Sequence, residues 1–168
     1  MAAQPWPKYL IQSLTSANQP QFTTNESLLY YLFGLEGPFE ISPKYHIPET
    51  PRDARDVVSL FIVELNKHPV FFIKVKLPAS LALASKRKQA DDQMRDRFRD
   101  LSHLLVTLRL PAISAFGTFP VAILAHPVIL NDVAPADRWS CDLLDADGIA
   151  RVRQVAQDVR TTCQALAD

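Results

Sequence analysis

Lys74 and Lys76 stand two residues apart in the run Val70-Phe71-Phe72-Ile73-Lys74-Val75-Lys76-Leu77. Side chains in an extended strand alternate between faces, so Val70, Phe72, Lys74 and Lys76 share one side. Phe71, Ile73, Val75 and Leu77 share the other. Two ammonium groups on one face of so apolar a strand either meet solvent or stand at the mouth of a site that uses positive charge. The cluster Lys86-Arg87-Lys88 follows closely. With Lys74 and Lys76 it makes five candidate groups for an anion, a nucleic-acid backbone or an acidic protein surface. No aromatic residue interleaves with the cluster, so base stacking is not expected.

Other chemistries lack their residues. The chain has no glycine-rich phosphate loop, no G-x-S-x-G elbow and no H-E-x-x-H. His46, His68, His103 and His126 are widely separated and follow no ligand spacing. Cys141 and Cys163 are too few and too far apart for a disulfide framework or a zinc site. Cys163 falls on an apolar stripe and reads as packing, and Cys141 has no activating neighbour in sequence.

A chain of 168 residues with 48% hydrophobic and 21% charged residues suits a single globular domain. Its formal net charge of zero provides no global attraction to nucleic acid or anionic membrane, so any such binding must be local. No apolar run approaches a membrane span, and the opening Met-Ala-Ala-Gln-Pro-Trp-Pro-Lys has no secretory apolar region. An intracellular protein of cytoplasm or nucleus, without membrane attachment, is therefore expected.

The elements that must position the lysines are legible by periodicity. Residues 1–22, with Pro5, Pro7 and Pro20, read as an irregular arm pinned by Trp6 and Tyr9-Leu10-Ile11, leaving 23–168 as the domain. Thr23-x-x-Glu26 has capping-box spacing before Leu28, Leu29, Leu32 and Leu35, a short first helix stopped by Gly34 and Gly37-Pro38. Strands follow at about 39–47, with Pro43 marking an edge or bulge, at 57–65, and at 70–77 after a turn over 66–69. Met94, Phe98, Leu101, Leu105 and Leu108 form one stripe on a long helix over about 86–109, ended by Pro111. Its charged face carries pairs such as Asp91 with Arg95 at i, i+4.

Ala112–Phe116 reads as a buried strand that Val121–Leu124 extends or pairs with, and Trp139 as an anchor in the irregular stretch 125–146. A last helix over 147–166 shows the stripe Ile149, Val152, Ala156, Val159, Cys163 and Leu166. That stripe suits docking on the chain's own sheet or a homodimer seam. Intramolecular docking, hence a monomer, is favoured, with Arg151, Arg153, Asp158 and Arg160 facing solvent. The long helix makes a right-handed crossover to a parallel fourth strand. The fold expected is α/β, a mixed sheet with helices on both faces.

This αβββαβ order, with a carboxylate entering the second strand and a lysine late in the third, resembles the PD-(D/E)XK nuclease-like superfamily, and in particular its small fungal members. The resemblance covers about residues 25–124, and more loosely the tail Asn131 to Trp139. It implies a restriction-endonuclease-like core in which a strand-two acid and an E-x-K tripeptide hold Mg²⁺ and orient water. Asp56 matches the strand-two acid and Lys76 the E-x-K lysine. Glu26 matches a helix-one acid, and Gln93, in Gln89-Ala90-Asp91-Asp92-Gln93-Met94-Arg95, a crossover glutamine.

Lys74 stands where the tripeptide has glutamate. Mg²⁺ takes oxygen ligands, and lysine offers only ammonium protons. At an effective dielectric near 20, an ammonium ~4 Å from a divalent cation is repelled by roughly 8 kcal/mol. The expected function is thus a degenerate nuclease fold serving as a binding module, with no cofactor. The alternatives are a Mg²⁺-dependent nuclease using Glu26, Asp56 and Lys76, with Glu64 as a further carboxylate, and a structural homo-oligomer. Parity is the test of such a site. A plain four-residue turn over 66–69 would put Asp56 on the face opposite the lysines, and an irregularity in the hairpin would reverse that.

Overall fold

The computed structural model describes residues 4–15, 21–34, 36–45, 59–117, 121–126 and 134–166. Strand β1 (Phe39–Tyr45), β2 (Ser59–Leu65) and β3 (His68–Lys76) form an antiparallel meander. Helix α3 (Ala84–Leu101) crosses over to β4 (Leu110–Phe116), which runs parallel to β3, and β5 (Val121–His126) returns antiparallel to β4. The result is a five-stranded mixed sheet in the order β1-β2-β3-β4-β5. Pro43 lies in β1, at the sheet edge, where a missing N–H is tolerated.

Helices cover both faces, as the alternating strands require. On one face Phe61, Val63, Phe71, Ile73, Val75, Ile113 and Ala115 join a core with α1 (Lys8–Thr15), α2 (Gln21–Phe33) and α4 (Ala146–Ala165). On the other, Leu60, Ile62, Phe72 and Ala112 pack against Met94, Phe98 and Leu101 of α3, with the Phe72 and Phe98 rings 5.1 Å apart, edge to face. Among the described residues no helix is long and apolar enough to cross a membrane.

Several expectations need correction. Among the described residues of the arm over 1–22, α1 occupies Lys8–Thr15 and α2 begins at Gln21, where an irregular segment was expected. The anchors are Trp6, Leu10 and Leu14, all buried, while Tyr9 and Ile11 are exposed. The Trp6 indole N–H donates to the Leu143 carbonyl, and Arg153 stacks 4.7 Å above the Trp6 ring. Isolated prolines hid a helix because Pro7 precedes it, where a missing N–H costs nothing. Thr23 lies inside α2, which begins two residues before it at Gln21.

The crossover helix also ends early. Eighteen residues at about 1.5 Å span roughly 27 Å, and the nine of β3 span about 30 Å. By Leu101 the helix has therefore returned the length of the strand. A 3₁₀ turn over Ser102–Leu104 follows, Leu105 is half-buried, and Leu108 is 97% exposed. Pro111 belongs to β4 and does not stop the helix.

Helix α4 docks on its own domain, with Ile149, Val152, Ala156, Val159 and Cys163 buried and Leu166 exposed. Its contact is close: a Cβ on Gly148 would come within 1.7 Å of the Asp142 carbonyl oxygen. Arg151 and Asp158 face solvent as expected, but Arg153 and Arg160 do not. Arg153 donates to the carbonyls of Gln4 and Pro5 and to the Tyr31 hydroxyl, and Arg160 to the Leu32 carbonyl. These long cations close open carbonyls of the leading segment and of α2.

Candidate anion-binding site

The hairpin between β2 and β3 decides which residues share a face with the lysines. Its turn is Asn66-Lys67, both at positive φ (51° and 67°), and not the four residues 66–69. Such a turn alone would pair odd residues with even ones, as Leu65 with His68. The register then shifts between Val63 and Glu64, opposite Pro69 to Phe71, so that Val63 pairs with Phe71 and Leu60 with Lys74. Val70 is the extra residue, and it joins the same core as Phe71. It follows Pro69, which has no N–H for the ladder. The bulge puts Leu60 and Ile62 on the face of Lys74, so even-numbered β2 residues meet the parity that the E-x-K geometry demands. Asp56 itself lies outside the described residues.

Lys74 sits at the centre of the sheet, between Leu60 on β2 and Ser114 on β4, beneath α3. It is half-buried, and its pKa is lowered from 10.5 to about 8. Burial is the largest cause, since desolvation disfavours the charged form. The cations Arg97 and Lys76 push the same way, against weaker opposition from Asp96 and Asp100. Among the described residues no carboxylate lies within ion-pair distance of Lys74. Arg97 reaches Asp100 only at 3.7 Å and leaves its Nε buried without a partner.

Lys76 is deeper, at 2% exposure, and its Nζ donates to Gln89 Oε1 at 3.0 Å. The glutamine on Lys76 is thus Gln89, one helical turn before the expected Gln93. Gln93 is half-buried, with its Oε1 buried and unbonded. Gly117 closes the end of this strand pair, its N–H donating to the Lys76 carbonyl at 2.7 Å. Its φ is +76°, and a Cβ there would meet the Pro78 ring at 2.6 Å, so only glycine fits.

The remaining predicted groups are dispersed. Glu26 lies on α2, which packs over the opposite face of the sheet from the lysines. Glu64 accepts from the Ser42 hydroxyl at 3.2 Å, at the β1 side. Arg87 is a structural tie, its guanidinium donating to the carbonyls of Ala134, Leu81 and Ala82. Lys88 pairs with Asp92 at 2.8 Å on the exposed helix face. Lys86 is half-buried at the start of α3. The anion set therefore contracts towards Lys74, with Lys76 behind it and Arg97 above it.

Asp91 does not pair with Arg95. It is buried and bonds Arg138, which lies on the segment following β5, leaving its Oδ1 without a partner. Arg95 takes Asp92 instead, at 3.2 Å. Beside this pair Trp139 is buried as expected, its indole N–H donating to Ser114 Oγ at 3.2 Å and its ring edge-on to Phe116 at 5.2 Å. Arg138 and Ser114 carried no sequence signal of their own, and Arg97 carried one only as part of the basic stretch that continues from Lys86-Arg87-Lys88 through Arg95, Arg97 and Arg99. Gln89 did, being four residues before Gln93 on the same helix face.

The donors gathered on this face are ammonium, guanidinium and amide groups. Among the described residues no three His, Cys, Asp or Glu side chains come together as metal ligands. Ammonium and guanidinium groups offer Mg²⁺ no oxygen ligand, and Asp56, the acid that the nuclease alternative requires, lies outside the described residues. Both thiols are buried and unpaired with each other, and burial pushes them up, away from the reactive thiolate. Comparison of the chain with protein-family models, with curated proteins and with solved structures finds no match.

Proposed function

We propose that this chain is a catalytically degenerate protein with a restriction-endonuclease-like core, working as a binding module whose Lys74 receives an anionic group of its partner. The single observation behind this is the state of Lys74: a half-buried ammonium with two cations for company and no carboxylate at ion-pair distance among the described residues. Such a group is held at a cost that an incoming anion would relieve. The topology supports the core assignment, since an antiparallel meander followed by a helical crossover to a parallel fourth strand is the order that the superfamily resemblance requires. Lys74 at the glutamate position supports the degenerate reading. A phosphate backbone suits the site better than a base, because among the described residues no exposed aromatic ring stands beside the lysines. The homo-oligomer reading loses its main surface, as the α4 stripe is buried in its own domain.

The test combines binding and cleavage. Fluorescence anisotropy with a short labelled DNA duplex, and separately with labelled polyglutamate, should show salt-dependent binding that Lys74→Met weakens about tenfold. The same duplex incubated with Mg²⁺ or Mn²⁺ should stay intact. Equal affinity in the variant would reduce Lys74 to a structural residue. Metal-dependent cleavage abolished by Asp56→Ala would replace this reading with the nuclease that uses Glu26, Asp56 and Lys76.

A further inference from the structure

A cavity lies away from the lysines, where the C-terminal ends of α2 and α4 meet the β2–β3 turn. Its volume is about 750 Å³, within the range of small-molecule sites. Phe33, Phe39, Leu65 and Leu166 make its lining largely apolar, and Arg160 of α4 and Glu36 also line it. Leu166 is a half-exposed leucine at the rim of this space.

Arg160 is the group that gives the cavity chemical character. One of its terminal nitrogens donates to the Leu32 carbonyl, which anchors the side chain, and its Nε is buried with no partner. Among the described residues no carboxylate comes within ion-pair distance of it. Glu36 shares the lining without pairing. A fixed guanidinium beside an apolar chamber, lacking a counter-ion, matches a ligand with one anionic end and an apolar body. Guanidinium favours a carboxylate through paired hydrogen bonds. A single unpaired guanidinium compensates a single charge, so a carboxylate is matched and a dianionic phosphate monoester would be left in excess.

We propose that this cavity binds a monoanionic amphiphile, a medium-chain or aromatic carboxylic acid, with its carboxylate on Arg160 and its apolar body against Phe33, Phe39 and Leu65. Nothing in this site depends on Lys74, which lies on the opposite face of the sheet from α2 and α4. Its ligand would be a small molecule held independently of any macromolecular partner.

Isothermal titration of the full chain with decanoate, decanol and decyltrimethylammonium separates the contributions. Decanoate should bind at least about tenfold more tightly than the alcohol, and the cation most weakly, because a charge-assisted hydrogen bond distinguishes the heads while the tails are identical. Arg160→Gln should remove that advantage and bring decanoate down to decanol. Saturating decanoate should raise the melting temperature of the wild type. If the variant fails to fold, the order of the three probes on the wild type still decides. Equal binding of decanoate and decanol, or no binding of either at millimolar concentration, would overturn the proposal.

Discussion

Replacing Lys74 with methionine should make the protein more stable at neutral pH. Methionine keeps the length of the apolar stem and lacks the ammonium group, so the change isolates the charge. The folded state holds Lys74 at about 8 against an ordinary 10.5, and each pKa unit corresponds to about 1.4 kcal/mol. Protonated Lys74 therefore costs the fold up to about 3 kcal/mol, and partial hydration of this half-buried group puts the realistic gain at about 1–3 kcal/mol. Because the folded pKa is depressed, the unfolded chain binds more protons between the two values. The penalty is complete below about pH 8 and disappears as pH rises from there through 10.5, where the unfolded lysine is also neutral. Urea denaturation at pH 7 and pH 10 measures this directly. Trp6 and Trp139, each 2% exposed, report unfolding from opposite sides of the sheet. At pH 7 the variant should gain roughly 2–12 °C in melting temperature, using about 2–4 °C per kcal/mol for a domain of this size. At pH 10 the gap should fall below about 1 kcal/mol. A destabilised variant, or a gap that does not change with pH, would refute the placement of Lys74 in a desolvated, cationic setting and with it the basis of the proposed function.

Two further substitutions probe the framework around the site. Asp91→Asn breaks a buried pair with Arg138 and should cost about 3–5 kcal/mol in urea denaturation, while the double change Asp91→Leu with Arg138→Met should recover much of that, since an apolar pair strands no charge. Gly148→Ala sets a methyl group against the Asp142 carbonyl and should lose about 3 kcal/mol or more, with amide exchange accelerating first in α4, whereas Ala150→Gly on the exposed face of the same helix should cost only about 1 kcal/mol.

Periodicity is a local property, and what depended on it was readable in the chain. The two-residue alternation of Phe61, Val63, Phe71, Ile73 and Val75 marks one buried sheet face. The spacing of Met94, Phe98 and Leu101, and of Ile149 through Cys163, marks two helical stripes. From these follow the α/β class, the meander, the crossover and an apolar stripe on α4 that the fold then buries in its own domain. Trp139 was legible too, because so large a ring in a polar stretch must bury itself.

The tertiary structure decided everything that depends on counting across distant segments. A one-residue bulge at Val70 determines which parity of β2 faces the lysines; His68-Pro69 permits an irregularity there, since Pro69 has no N–H for the ladder, but nothing local requires one. The end of α3 is set by the length of the strand it must retrace, not by Leu105 and Leu108, whose apolar spacing runs on past it. Asp91 chooses Arg138 over Arg95 because burial beneath the segment after β5 makes a desolvated partner necessary, while Arg95 stays near solvent with Asp92. Lys74 and Lys76 look alike in the strand pattern. Depth beneath α3 separates them, giving one a glutamine partner and leaving the other half-buried among cations.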